Sequence, residues 1–285
     1  MAITINTNMA AARASFQLSK NNAALQKSLN RLSSGSRITT PADDAGGLAV
    51  AMKLKGSINR LKGVESNIGN AISFLQVQDG ILESSGKIVD RMAELKALSQ
   101  DVLKNSSDIA NYNSEFKNLQ VQLHSMATTK FNGVSLFGTG VAFGSDNTNK
   151  KSIITSADGS VTVSINQSQL LSALTIDTSD TTAPSLSSAL FSSAASTATT
   201  FTFAAETTAS GISLGAIDAA VYTKALENIA TLRAENGGSV SRLMFSEEAA
   251  SQRRTNLEAA HGRIMDVDIA QESTALAKHS ILVQA

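Results

Sequence analysis

From Ala2 to Ser34 the chain holds no glycine and no proline, and Leu18, Leu25 and Leu32 return every seven residues with Leu29 beside them. A heptad return without breakers specifies a long helix carrying a narrow apolar stripe, which a second helix of like pattern must cover. Ala11 extends the row backward, whereas the first dozen residues, with Ile3 and Ile5 among Asn and Thr, carry a weaker pattern. Residues 263–285 hold a matching narrow row, Ile269, Leu276 and Val283. The two ends of the chain are therefore expected to pair.

Residues 31–50 interrupt the helical period. Ser33, Ser34, Gly35 and Pro41 break it and Asp43-Asp44 restart it. Proline cannot continue a helix from behind, and a carboxylate just after it can cap the next one. The stretch reads as a structured connector whose polar groups need hydrogen-bond partners. Residues 43–104 follow as the longest periodic segment. Ile68, Leu75, Leu82 and Val89 form one row, and Phe74, Ile81, Ile88, Leu95 and Val102 form the next. Two adjacent rows make a broad face, suited to cover by more than one helix. Gly56, Gly63, Gly69, Gly80 and Gly86 each cost about 1 kcal/mol against alanine inside a helix, which predicts close approach of neighbouring backbones.

Residues 105–111 read as a loop and 112–129 as a third helix with Phe116, Leu119, Leu123 and Met126 on one face. Phe131-Asn-Gly-Val134 signals a hairpin turn. The character then changes. Residues 161–165 alternate as a strand does, and Ser or Thr fills half of 175–210, so 138–210 is expected to be a small β-rich insertion. Helical spacing returns over 216–260, with Glu235-Asn-Gly-Gly238 as a break or a close-packed point. The predicted fold is mainly α: a long antiparallel helical bundle or coiled coil built from both termini, with the β-rich insertion in the middle.

Several function classes lack support. Aromatics are 4% of the 285 residues and Trp is absent, which suits helix-on-helix cores of Leu, Ile, Val, Met and Ala. A formal net charge of zero offers no basic excess for nucleic acid. No Cys means no disulfide, thiol nucleophile or thiolate metal site. No basic n-region precedes Arg13, so a cleaved secretory signal is not expected, and no apolar run approaches the roughly 20 residues of a membrane helix. His124, His261 and His279 have no metal-ligand spacing, and 138–210 has no His. No nucleophile elbow or phosphate loop appears. Asp43, Asp44, Asp266 and Asp268 are explained as helix-start carboxylates. Neither an enzyme nor a cofactor is expected.

Seven stretches carry a family likeness: Ile5-Asn-Thr-Asn-Met-Ala10; Ser28-Leu-x-Arg-Leu-Ser-Ser-Gly-Ser-Arg-Ile38; Asp43-Asp-Ala-Gly-Gly-Leu-Ala49; Phe131-Asn-Gly133; Arg263-Ile-Met-Asp-Val-Asp268; Leu276-Ala-Lys278; and Ile281-Leu-Val-Gln-Ala285. In this order they closely resemble bacterial flagellin over roughly 1–137 and 211–285. The resemblance implies a filament subunit of five parts. Residues 1–36 and 263–285 would pair as the inner coiled-coil layer. Residues 37–137 and 211–262 would form the helical core, and 138–210 the variable outer insertion. Leu18, Leu25, Leu29, Leu32, Ile269, Leu276 and Val283 would make the terminal and inter-subunit seam. Ser33, Gly35, Arg37, Pro41, Asp43 and Asp44 would make the connector.

The same resemblance implies type III export without a cleaved signal, an extracellular place in the flagellum, and a motility role. The implied partners are further copies of itself, an export chaperone, the filament cap and hook-associated proteins. Arg91, Leu95 and Glu115 match the positions that the animal innate receptor for flagellin contacts, and they serve equally as subunit contacts. No nucleic acid and no membrane insertion are implied. Flagellins usually run about 20 residues past the position of Ala285, some 30 Å of helix, and the first turns of the N-terminal helix are expected to lack that partner here. The nearest alternative is a hook–filament junction protein with flagellin-like ends.

Overall fold

A computed structural model describes residues 8–138, 150–177, 185–186 and 200–284. Ile3 and Ile5, most of the Ser/Thr-rich stretch and Ala285 lie outside them. The chain divides into two compact units, one comprising residues up to Gly63 together with Ser251 onward, the other Val64–Ala250. The helices are α1 (Met9–Ser34), α2 (Ala45–Ser99), α3 (Ser106–Ala127), a short α4 (Leu170–Ala173), α5 (Ala219–Met265) and α6 (Ile269–Gln284). The fold is mainly α with small antiparallel sheets between α3 and α5. No helix among the described residues is long and apolar enough to cross a membrane.

In the first unit, α1 and α6 pair antiparallel. Asn21 donates to the Leu282 carbonyl, Arg31 faces Glu272, and Ser36 bridges Asp266, so position rises along one helix as it falls along the other. The local core of this unit is Ile38, Ala51, Ile58 and Leu61.

In the second unit, α2 and α5 also run antiparallel. Asn236 Nδ2 donates to the Leu75 carbonyl at 2.8 Å, Arg233 grips Asp79, and Ile229 lies against Gly86. The heptad row Ile68, Leu75, Leu82 and Val89 is fully buried. Phe116 on α3 meets Tyr222 on α5 edge-on at 6.4 Å, and Phe203 packs on the same ring at 5.0 Å. Strands β1 (Lys130–Phe131) and β2 (Val134–Ser135) form the expected hairpin, with Asn132 and Gly133 both at positive φ, as a type I′ turn requires. Phe131 meets Phe74 edge-on at 6.0 Å. Strands β3 (Lys150–Ile154) and β4 (Thr162–Asn166) make a second hairpin. Strand β5 (Thr175–Asp177) pairs with both β6 (Ser185–Leu186) and β7 (Thr200–Thr202).

Buried amides tie the stretch between α3 and α5 to the helices. Gln120, with no exposed surface, donates to the Ile212 carbonyl and accepts from its N–H at 3.1 and 2.9 Å. Gln78 donates to Leu136, and Asn228 to Ala173. Each amide satisfies a backbone group that burial would otherwise strand.

Four expectations are corrected. Helix α2 ends at Ser99, not 104: Asp101 turns the chain by accepting from the Leu103 N–H, so Val102 leaves its row and is exposed. Helix α3 begins at Ser106, because Asn105 and Asp108 form a reciprocal capping box inside the stretch read as loop. Helix α5 runs unbroken through Glu235–Gly238, and a Cβ at Gly237 or Gly238 would meet nothing within 4 Å. The flanking Leu232, Asn236 and Leu243 are buried, and that packing outweighs the helix cost of the glycines. The α2 glycines do not mark close backbones either: Gly63, Gly69 and Gly80 face open space, and Gly86 meets only an Ile229 methyl at 3.9 Å.

Candidate assembly interface

The connector between α1 and α2 is built from the sequence outward. Gly35, at φ 68°, ends α1 in the left-handed conformation that a helix C-terminus favours in glycine. The next residues bond to the corner between α5 and α6. Arg37 N–H donates to the Met265 carbonyl at 2.6 Å, and Val267 N–H donates to Gly35 at 3.1 Å. The Arg37 guanidinium adds two bonds to the Ile264 carbonyl, at 3.1 and 2.9 Å, and stands 3.8 Å from Asp44. Ile38 is buried behind them.

Pro41 follows Thr40 in a turn closed by the Asp43 N–H on the Thr40 carbonyl, with proline in the second position that suits its fixed φ. Asp43 turns its carboxylate inward. It pairs with Lys27 of α1 and accepts from the Thr39 N–H, the Thr40 N–H and the Thr39 hydroxyl. The Lys27 ammonium first, then these N–H groups, hold the Asp43 carboxyl far below the usual carboxylate range. Asp44 caps α2, accepting from Gly47 N–H at 2.7 Å. The cap lies so close that a Cβ on Gly47 would collide with Asp44 Oδ2. Pro41 and Ser33 are exposed. Asp268 caps α6 through the Ala270 and Gln271 N–H groups. Asp266, read from the sequence as a second helix-start acid, instead sits in the bridge to Ser36.

Of the seven stripe residues, Leu25, Leu32, Leu276 and Val283 are half-buried in the chain itself. Leu18, Leu29 and Ile269 remain 50%, 49% and 68% exposed, and Phe16, outside the heptad row, is 73% exposed. Sequence reasoning missed Phe16 because it belongs to no seven-residue return. Arg91 and Glu115, in the other unit, are brought together: Arg91 Nη2 lies 2.8 Å from Glu115 Oε1, and Nη1 lies 2.7 Å from Glu94. These pairs raise the Arg91 pKa further. Leu95 has no accessible surface and packs in the core, so a surface contact there forms without it. Among the described residues no cluster of His, Asp and Glu could hold a metal ion.

The bacterial flagellin N-terminal helical region matches residues 5–140, and the C-terminal helical region matches 219–285. The flagellin of Bacillus subtilis is 31% identical over 99% of this chain and 93% of its own. The chain belongs to the bacterial flagellin family. It is a structural subunit of the flagellar filament. The Listeria monocytogenes flagellin is 29% identical over 98% of this chain and 92% of its own, and the Treponema phagedenis flagellar filament 33 kDa core protein 28% identical over 99% and 92%. Names of this kind favour a filament flagellin over the junction-protein alternative. The family match ends near the start of the insertion and resumes with α5, so the connector and both terminal helices fall within this flagellin's matched regions.

Proposed function

We propose that this flagellin assembles through the α1–α6 pair and the 33–50 connector, with neighbouring copies covering the apolar surface that the single chain leaves open. The carrying observation is the half-covered stripe: Leu18, Leu29 and Ile269 stay exposed although their heptad neighbours do not. Leu18 and Leu29 are already about half covered in the single chain, so burying the rest gains roughly 1 kcal/mol each, enough to drive a polymer once many copies add. On this reading the subunit has the five parts assigned from the sequence, 1–36, 37–137, 138–210, 211–262 and 263–285, the third being the variable insertion.

The filament stands outside the cell after export of the unfolded chain. Its role is mechanical, carrying motor torque along packed helices, and no reaction is catalysed. Further partners are an export chaperone, the filament cap and hook-associated proteins. The paired Arg91 and Glu115 present the surface either for a neighbouring copy or for the animal innate receptor. Leu29→Asp tests the central point. Leu29 is half-exposed, so the monomer should keep its helix content by circular dichroism while pelletable filaments are lost. Filaments of normal length from that variant would remove α1 from the interface.

A further inference from the structure

Between α2 and α3 the chain makes a tight turn with an apolar tip. Val102 and Leu103 are 96% and 91% exposed, the most open large hydrophobic side chains among the described residues. Two hydrogen bonds close the turn: Asp101 accepts from the Leu103 N–H at 3.0 Å, and its own carbonyl takes the Lys104 N–H at 3.1 Å. Leu98 and Ile109, each 38% exposed, broaden the base of the tip. A turn needs no apolar residues for its own geometry, and water penalises two adjacent ones held outward.

The same unit carries a hollow of about 510 Å³ whose apolar wall is Phe74, Phe131, Val134, Ile153, Ile154 and Ile165, with Lys151 also lining it. Val134 and Ile154 are each 46% exposed there. On α2 the hollow uses Asn67–Phe74, whereas the tip follows Ser99, so roughly 40 Å of helix separate them at 1.5 Å per residue.

We propose that the Val102–Leu103 tip of one copy seats in the Phe74–Phe131–Ile154 hollow of the next. This inference rests on the filament reading and names one contact within it. The occupant is a second copy because the two surfaces complement each other: an apolar knob meets an apolar hollow, and Asp101 beside the knob meets Lys151 beside the hollow. Knob and hollow are unlike surfaces far apart on one chain, so the contact is heterologous. Such a contact leaves a free knob and a free hollow after every addition, and it propagates instead of closing into a dimer.

The chain has no cysteine, so introduced thiols report without background. Full-length Leu103→Cys/Ile154→Cys protein, polymerised and then oxidised, should give a non-reducing ladder at multiples of 29.7 kDa. An equal mixture of the two single variants should stop at dimers, because each copy then has one thiol. Filaments without a ladder overturn the contact. A second variant, Val102→Asp/Leu103→Asp, should melt like the unmodified protein yet need at least tenfold more protein to polymerise. Polymerisation at the unmodified concentration overturns the contact while leaving the filament reading standing. Failure of the unmodified chain to polymerise overturns the filament reading, and this inference with it.

Discussion

Lys27 and Asp43 meet as an ion pair between α1 and the connector, with the Asp43 side chain only 7% exposed. The pair folds the connector back along the helix it has just left. Because the carboxylate is also bonded by the Thr39 and Thr40 N–H groups, the folded state holds its pKa well below the unfolded value.

A depressed carboxylate stabilises the fold above its unfolded pKa of about 4, and that contribution fades as pH falls toward the folded pKa. Asp43→Asn should therefore melt a few degrees below the unmodified protein at pH 7, with the gap narrowing steadily below pH 4. Thermal melts across pH 7 to pH 2 check this; a gap constant with pH would deny Asp43 the role.

Gly47 and Gly69 should respond oppositely to alanine. At Gly47 the new Cβ would collide with Asp44 Oδ2, and moving that carboxylate surrenders the α2 cap, a loss of about 1 kcal/mol. Gly69 faces open space within α2, and alanine there should stabilise the monomer by roughly 0.5–1 kcal/mol. Urea unfolding of the two variants side by side is the measurement.

Tyr222 is buried at 2% exposure, and its hydroxyl has no hydrogen-bond partner. Burial pushes the phenol above its usual pKa. Tyr222→Phe keeps the ring against Phe116 and Phe203 and removes an unsatisfied polar group. It should leave stability unchanged or raise it by about 1 kcal/mol, read as an equal or higher melting temperature.

Gln120 is the opposite case, since both ends of its amide are used by Ile212. Gln120→Ala should strand two backbone groups and cost roughly 2–4 kcal/mol. Hydrogen exchange should show the loss first at Ile212, whose N–H gives its proton to Gln120.

The sequence by itself determined the helices, their stripes and the connector. Heptad leucines, an absence of breakers and the Gly35–Pro41–Asp44 punctuation are local signals, and they placed α1, the α2 start and the Asn132–Gly133 hairpin. It missed the capping box at Asn105 because Asn-Ser-Ser-Asp has the composition of a loop, and only the reciprocal bonds distinguish the two. It over-read the glycines, because a helix tolerates them once buried neighbours such as Leu232 and Leu243 supply the packing. Only the tertiary structure decided which stripe leucines are covered, that Leu95 is core while Arg91 and Glu115 pair at the surface, and that Arg37 caps the Ile264 carbonyl. Those outcomes depend on residues far apart in the chain arriving at one place, and no local pattern encodes that arrival.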